Sequence, residues 1–432
     1  MNIYKKTFKP AAIATMLTAV SLLSACGSDG DSAELAKAVE LEKQRQNGTI
    51  IEVVTINGGQ TRIKKGETHQ LTATGLDSNG DTRDITSEIT WSSSDTSIAK
   101  VSSKGLVTGV ANSDVNQGII TITGTTINDI TGDAEMSVSD ISASSVALKQ
   151  SFPESGNIFT CIDANITGDV TYADGYVSLN TVYNIDFSIP ASDTANITDT
   201  GTLYTSRASI ETISVTGKID TVSDELTVIA DPSNLDDIDI LLNDEQITNI
   251  ITINTGQRVQ FNSQATLLPE VSTKEYGIDN SVNWQERELA LIGVTNLGEN
   301  KGTIVGLENG VTILQANCGG KEATATIEVK GDNTLTEMKI NDGDDVINIA
   351  QGGDVELKLV AHYDEDSSIS SLNVSEFANW SLKGSSLATA EIIDHGTNQA
   401  SLKVTAADDV TGEFIVSAIY DDITTTVKIV IQ

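Results

Sequence analysis

The sequence predicts an all-β protein, an N-terminal leader followed by a tandem array of four β-sandwich domains. Three observations predict it. Thr, Ser, Val and Ile recur in short runs that alternate apolar with polar, the pattern of half-buried strands. Large aromatics return at a near-constant spacing: Trp284 and Trp380 stand 96 residues apart, and Trp91 and Trp284 stand 193 apart, almost twice that. Turn residues break the chain at intervals of about 8–12 residues. Bulk composition agrees. At 432 residues the chain has room for three or four domains of ordinary size. Aromatics make up only 4% while hydrophobics reach 39%, so Val, Ile, Leu and Ala must fill most of the core. Proline, at five residues, is too rare for proline-rich disorder.

The leader occupies residues 1–25. Lys5, Lys6 and Lys9 form a basic start, and AAIATMLTAVSLL is an apolar stretch too short to remain as a membrane-spanning helix. Leu23, Ser24, Ala25 and Cys26 follow, and they resemble the lipobox of bacterial lipoprotein signal peptides. The resemblance implies cleavage before Cys26 and lipidation there. Each buried acyl methylene then adds about 0.8 kcal/mol to membrane attachment. Gly27, where an Asp would signal retention, implies an outer-membrane destination. An ordinary secretory signal with a chance cysteine is the competing reading. Residues 26–49 form the lipidated tether. Its AELAKAVELEKQRQN stretch suits a short charged helix or a disordered leash, since isolated helices of that length are marginal.

The aromatic spacing places a missing copy near residue 187, where Phe187 stands. Ser94-Asp95-Thr96 recurs as Ser192-Asp193-Thr194, and Gly105 and Gly201 each precede a strand start. Four copies at a period of 96–97 residues make an internal repeat. The elements of the first copy follow in order. VVTIN opens it, KKG turns, THQLTATGL is a strand and DSNGD turns again. EITWSSS is a strand, and SIAKVSSKGLVTGV reads as strand, glycine turn and strand. GIITITGT and AEMSVSD close the unit as a hairpin. About seven short strands in this order is the pattern of an Ig-like sandwich. Trp91, Phe187, Trp284 and Trp380 are then its large core fillers, each worth several kcal/mol when buried.

EITWSSSDTSIAKVSSKGLVTG followed by GIITITGT resembles the bacterial Ig-like domain, group 2, of intimin- and invasin-type surface proteins. NGVTILQANCGGKEATATIEV in the third copy is similar to that family's closing hairpin. The second and fourth copies are degenerate: Phe187 replaces Trp, and SLKGSSLATAEI follows the motif loosely. The fold expected is thus four Ig-like domains, at 50–140, 141–231, 232–330 and 331–432. Sandwich modules host many tasks, so the resemblance speaks to fold before function.

Two cysteines remain beyond Cys26. The period aligns Cys161 with Lys65, in a turn that an Ig-like sandwich carries at its C-terminal pole. Cys318 sits in the NCGG turn of the third closing hairpin, at the N-terminal pole. Those poles meet, so an interdomain Cys161–Cys318 disulfide is expected, permitted by an oxidising exterior. Two separate thiols are the alternative.

The net charge of −35, which loss of the leader's three lysines would deepen, excludes nucleic acid as a partner. Acidic residues near the joins are weak calcium candidates: Asp231, Asp236, Asp237 and Asp239 at the second join, Asp332 at the third, with DGDD at 342–345 and DED at 364–366. None has calcium-loop spacing, and solvated turns are the plainer reading. GLDSNGD at 75–81 has its glycine misplaced for an EF-hand. The chain lacks HExxH, CxxC, GxSxG, Walker and GxGxxG motifs, and the repeats leave no stretch for a catalytic domain. A non-enzymatic protein without a cofactor is expected. Tyr172, Tyr176, Tyr183 and Tyr204 suit either a carbohydrate surface or cross-strand packing. The function expected is a membrane-anchored surface stalk or adhesin-like module with a protein or glycan ligand. The alternative is a periplasmic structural partner in an envelope assembly. Distal binding would use loops such as AQGGD at 350–354.

Overall fold

The computed structural model describes residues 29–287, 291–341, 343, 345–383 and 386–432. Cys26, the Leu23–Ala25 lipobox, Asp342 and Asp344 lie outside the described residues. Among the described residues no helix is long and apolar enough to cross a membrane. By contact the described residues divide into two compact units: 29–142 together with 171–179, and 143–170 together with 180–432. Hairpin 171–179, which the period assigns to the second copy, therefore groups with the first.

The first unit begins with a helix, Asp29–Asn47. Local pairs hold it, including Arg45 with Glu42 at 3.2 Å and Gln46 with Glu42 at 3.0 Å. Its C-terminal end is tied to the sandwich. Asn79 Nδ2 donates to the Asn47 carbonyl at 3.2 Å, and Ser78 Oγ donates to the Gly48 carbonyl at 2.8 Å. Lys37 reaches Asp129 at 3.1 Å. The 77–81 turn that receives the helix is closed by Asp77, whose Oδ1 accepts from the Asn79 and Asp81 amides.

The first sandwich has one feature that sets its topology. Ile51–Asn57 pairs antiparallel with Thr72–Asp77, then the chain crosses and Thr61–Ile63 pairs parallel with Met136–Val138 of the closing strand. The closing strand, Thr131–Val138, forms a hairpin with Ile119–Thr125, and Thr90–Ser93 completes that sheet. A small sheet of Thr68–Gln70, Leu106–Gly109 and Ala99–Val101 lies beside it.

The second unit repeats the plan three times. Ile158–Phe159 pairs parallel with Ala230–Asp231, Ile251–Asn254 with Ile327–Lys330, and Val346–Ile349 with Lys428–Ile431. Each terminal pairing closes an Ig-like β-sandwich, so the array has four.

The periodic aromatics occupy one register position. Trp91 pairs with Gly124, Phe187 with Gly217, Trp284 with Ala316 and Trp380 with Ala418. A small residue opposite leaves room for the ring. In three copies a left-handed glycine lies beneath it: Gly105, Gly201 and Gly302, with φ of 78°, 74° and 92°. Each accepts a backbone hydrogen bond, from Leu71, Ile166 and Phe261. An added Cβ would come within 2.4 Å, 2.1 Å and 2.4 Å of the carbonyl oxygens of those same residues. Only glycine meets both demands. The four aromatics are not equivalent in depth, however. Trp91 and Trp284 are buried, while Phe187 and Trp380 are half-buried. In the degenerate copies the ring covers the core edge, and in the fourth the centre is filled by Phe414, Leu357 and Val404.

Candidate functional site

The residues that set this chain apart from a string of loose beads are a buried cluster in the first unit and the joints between the sandwiches of the second.

In the first unit the decisive side chain is Arg62, on the short parallel strand, with its side chain 1% exposed. A buried guanidinium must have its donors satisfied. Nη1 and Nη2 grip the Asp174 carboxylate as a fork, at 3.0 and 2.7 Å. Nη2 also donates to the Gln117 carbonyl at 3.0 Å, and Nε donates to Ser137 Oγ at 2.9 Å. The planar cation lies over both rings of a tilted pair, 4.5 Å from the centre of Tyr172 and 4.7 Å from that of Tyr176, whose centres are 6.2 Å apart. Arg62's own amide donates to Ser178 Oγ at 3.0 Å. Hairpin 171–179 is thus clamped around one arginine. The hydrogen bonds from Arg62 hold the Asp174 carboxyl below the ordinary carboxylate range, and burial pushes the Tyr176 hydroxyl far above its own. Tyr172 and Tyr176 are buried, so they offer no carbohydrate platform. Tyr204 is half-buried and accepts from Asn196 at 3.1 Å.

Within the second unit, the structure joins Cys161 and Cys318 in a disulfide, with Cα atoms 5.9 Å apart. Cys161 follows Ile158–Phe159 in a left-handed turn and donates its amide to the Thr205 carbonyl at 2.9 Å. Cys318 ends the strand Gly310–Cys318, and the hairpin turns through Gly319 and Gly320. The Gly319 amide reaches across to the Ser206 carbonyl at 2.9 Å. An added Cβ on Gly319 would lie 2.7 Å from Leu235 and 2.9 Å from the Cys161 sulfur. The apolar core is continuous here: Cys161 and Ile162 belong to the same buried cluster as Leu235, Trp284 and Ile327, with Phe152 and Phe159 packed on it. Beside it Asn280 donates to Asp163 at 2.7 Å, but the other Asp163 oxygen is buried without a partner, and burial raises that carboxyl's pKa. Lys301, its own pKa lowered by burial, donates to the Asn280 carbonyl at 2.8 Å.

The next joint is fastened without a crosslink. Val305 and Leu307 enter the core of the fourth sandwich with Leu372 and Val374. Arg258 donates to Asn398 at 2.8 Å, and Asn300 donates to the His395 carbonyl at 2.8 Å. Gly293 allows the Phe377 ring to close in, since a Cβ there would lie 2.6 Å from it. The 350–354 loop follows Val346–Ile349, at the position Cys161 holds in the second sandwich.

The calcium candidates among the described residues do not converge. Among the described residues no group of three metal-ligating side chains comes together. Asp231 caps the short helix Pro232–Asn234 through the Ser233 amide and accepts from Asn157. Asp239 takes a hydrogen bond from Gln246, and Asp332 takes one from Asn309. Asp237 accepts from the next amide, and Asp236 is exposed beside it.

Arg62 and Arg258 carry no local signature, since their partners lie 112 and 140 residues away. Gly302 did have one: Lys301-Gly302 and Gly306 repeat the spacing of Lys104-Gly105 and Gly109.

Residues 50–133 match the family described as bacterial Ig-like domain (group 2). That span covers the first sandwich up to the start of its closing strand, Thr131–Val138; the other three sandwiches share its strand order. Among curated relatives the chain is similar to Ice-binding protein 1 of Shewanella frigidimarina, 26% identical over 289 residues. The match takes in 65% of this chain but 29% of that protein, so the chain spans less than a third of the relative's length. Among solved structures, domains 1–6 of the surface layer protein SbsC overlay 94% of this chain and 57% of their own, at 12% identity and a TM-score of 0.24. Sidekick-1 immunoglobulin domains 1–5 overlay 88% of this chain and 81% of their own, at 8% identity and a TM-score of 0.20. These overlays carry no argument about function.

Proposed function

We propose that the chain is a non-catalytic spacer: a lipoprotein held to the membrane at Cys26 whose Ig-like domains carry a binding surface away from that membrane, on the outside of the cell. The observation that carries this reading is the fastening of successive sandwiches within the second unit, by shared cores and by the Cys161–Cys318 bond. Isolated modules on flexible linkers would need neither. A protein whose task is to hold distance gains from both, and needs neither cofactor nor catalytic group. Shaving intact cells with protease and blotting for the fourth sandwich tests it. Loss of the signal supports a surface stalk. Protection until the outer membrane is opened supports the alternative, a periplasmic partner in an envelope assembly.

The relative's name brings a second reading, contact with ice. The outward face of the first sandwich favours it, because Thr90, Thr125 and Thr131 stand side by side across three strands. Thermal hysteresis of the purified chain tests this directly, and its absence would leave the spacer alone.

A further inference from the structure

We propose that this chain bears tension and that the Cys161–Cys318 disulfide is a covalent bypass, which removes most of two sandwiches from the path of the force. The proposal rests on the spacer reading, in that a stalk between a membrane and a contact is pulled at its two ends.

The topology makes each sandwich a shear-loaded element. Its first-sheet switch strand and its last strand are parallel neighbours. Pulling the two ends of a sandwich apart slides these strands along each other, so the hydrogen bonds between them share the load and must fail together. Resistance then grows with the number of paired residues. The pairing is not uniform. It spans three residue pairs in the first sandwich, four in the third and four in the fourth, but only two in the second, Ile158 with Ala230 and Phe159 with Asp231. The second sandwich has the weakest clamp.

Cys161 lies two residues beyond that weak clamp. Tension entering along Ala143–Phe152 reaches Cys161, crosses the sulfurs to Cys318 and leaves along Lys321–Lys330. The intervening residues, including the closing strand Val222–Asp231 whose short pairing would otherwise fail, lie off the path. While the bond holds, only the segments before Cys161 and after Cys318 can be peeled from these two sandwiches. Both sulfurs belong to buried residues, 0% and 2% exposed, so a reductant in solution reaches them only after the joint has opened. An oxidising exterior maintains the bond.

The sequence separation of 157 residues sets the size of the effect. At ~3.3–3.6 Å per extended residue, the bypass hides roughly 520–560 Å of chain. The test is single-molecule pulling of the whole chain by its two ends. In the oxidised protein the final extended length should fall short of the full chain by that amount. Adding dithiothreitol to the stretched molecule, where the sulfurs are exposed, should release the missing length in one step. The Cys318→Ser variant should lack both the shortfall and the step. If it fails to fold, the two readings on the native chain still decide. A native oxidised chain that reaches full length without reductant overturns the bypass, as does free thiol at both cysteines. The pulling uses purified protein, so protease protection on cells would sink the surface reading without touching this result, and the reverse holds too.

Discussion

Replacing Arg62 with alanine removes the centre of the clamp on hairpin 171–179. The variant leaves the Asp174 carboxylate, 17% exposed, facing a hole where a bidentate partner stood. It also removes one of the donors to the Gln117 carbonyl, leaving it the Ser137 hydroxyl, and strips the cation from two buried rings. Removing one member of a buried pair costs about 3–5 kcal/mol. Asp174 keeps some water and a hydrogen bond from the Tyr176 amide, so the lower end applies, about 3 kcal/mol. That is roughly a 100-fold rise in the opening equilibrium of the hairpin, since ~1.4 kcal/mol is a factor of ten. The chain has several domains and is not two-state as a whole, so the assay must be local. Hydrogen exchange supplies one, because the Leu179 amide donates to the Gln60 carbonyl at 3.1 Å and reports opening of the hairpin from the sandwich. Protection there should fall about 100-fold in Arg62→Ala, and Arg62→Lys should recover only part of it, because lysine lacks the fork. Acid gives the same answer by another route. Asp174 has its folded pKa depressed, so its contribution is present above the ordinary carboxylate range and is lost only as pH falls through the lower folded value. Unchanged protection in Arg62→Ala, or effects of Arg62→Ala and Asp174→Ala that simply add, would refute the clamp.

Three further outcomes are expected. Asp163 has a raised folded pKa, so its ionisation opposes folding and stability falls as pH rises from the ordinary carboxylate value through the raised one. Asp163→Asn should therefore flatten that slope and stabilise the second unit by about 1 kcal/mol at pH 7, seen as a higher urea midpoint; a lower midpoint would show the charge to be favourable. Gly319→Ala should destabilise the joint by about 2–4 kcal/mol, from a left-handed φ of 59° and contacts under 3 Å, and should raise the free-thiol content; a thiol titration and melting curve matching the parent would contradict the packing. The indoles should respond unequally to phenylalanine. Trp91 Nε1 donates to the Thr86 carbonyl at 2.9 Å, whereas Trp284 Nε1 is buried with no partner. Trp91→Phe should cost about 1 kcal/mol more than Trp284→Phe, and equal losses of local exchange protection would count against that difference.

The parts of the fold that show in the sequence are those with a steric cause repeated in every copy. A ring needs a small residue across the ladder, and a left-handed turn needs glycine, so Trp91, Trp284, Gly105 and Gly201 mark the period. The Cys161 and Cys318 positions follow from the same period once strand order is known. The fastening residues are different in kind. Arg62 acquires meaning from Asp174 and two tyrosines more than a hundred residues on, and each joint uses a different solution. No period can reveal a contact made once. Tyr172 and Tyr176 suit either a surface or cross-strand packing in the sequence, and the structure buries both against the Arg62 cation. Asp236, Asp237 and Asp239 are weak cation candidates in the sequence, with solvated turns the plainer reading; they lie on a strand that turns successive carboxylates to opposite faces, and amides occupy Asp237 and Asp239.

The sandwiches of the second unit are fastened into one piece, and cooperativity tests this most directly. Hydrogen exchange across a urea series can follow the second and third sandwiches separately, through the Ile166 and Phe261 amides that bond to Gly201 and Gly302. The shared core and the Cys161–Cys318 bond predict that both lose protection at one midpoint, with one denaturant slope. Two well-separated midpoints, each with the slope of a single sandwich, would show independent modules and contradict the account.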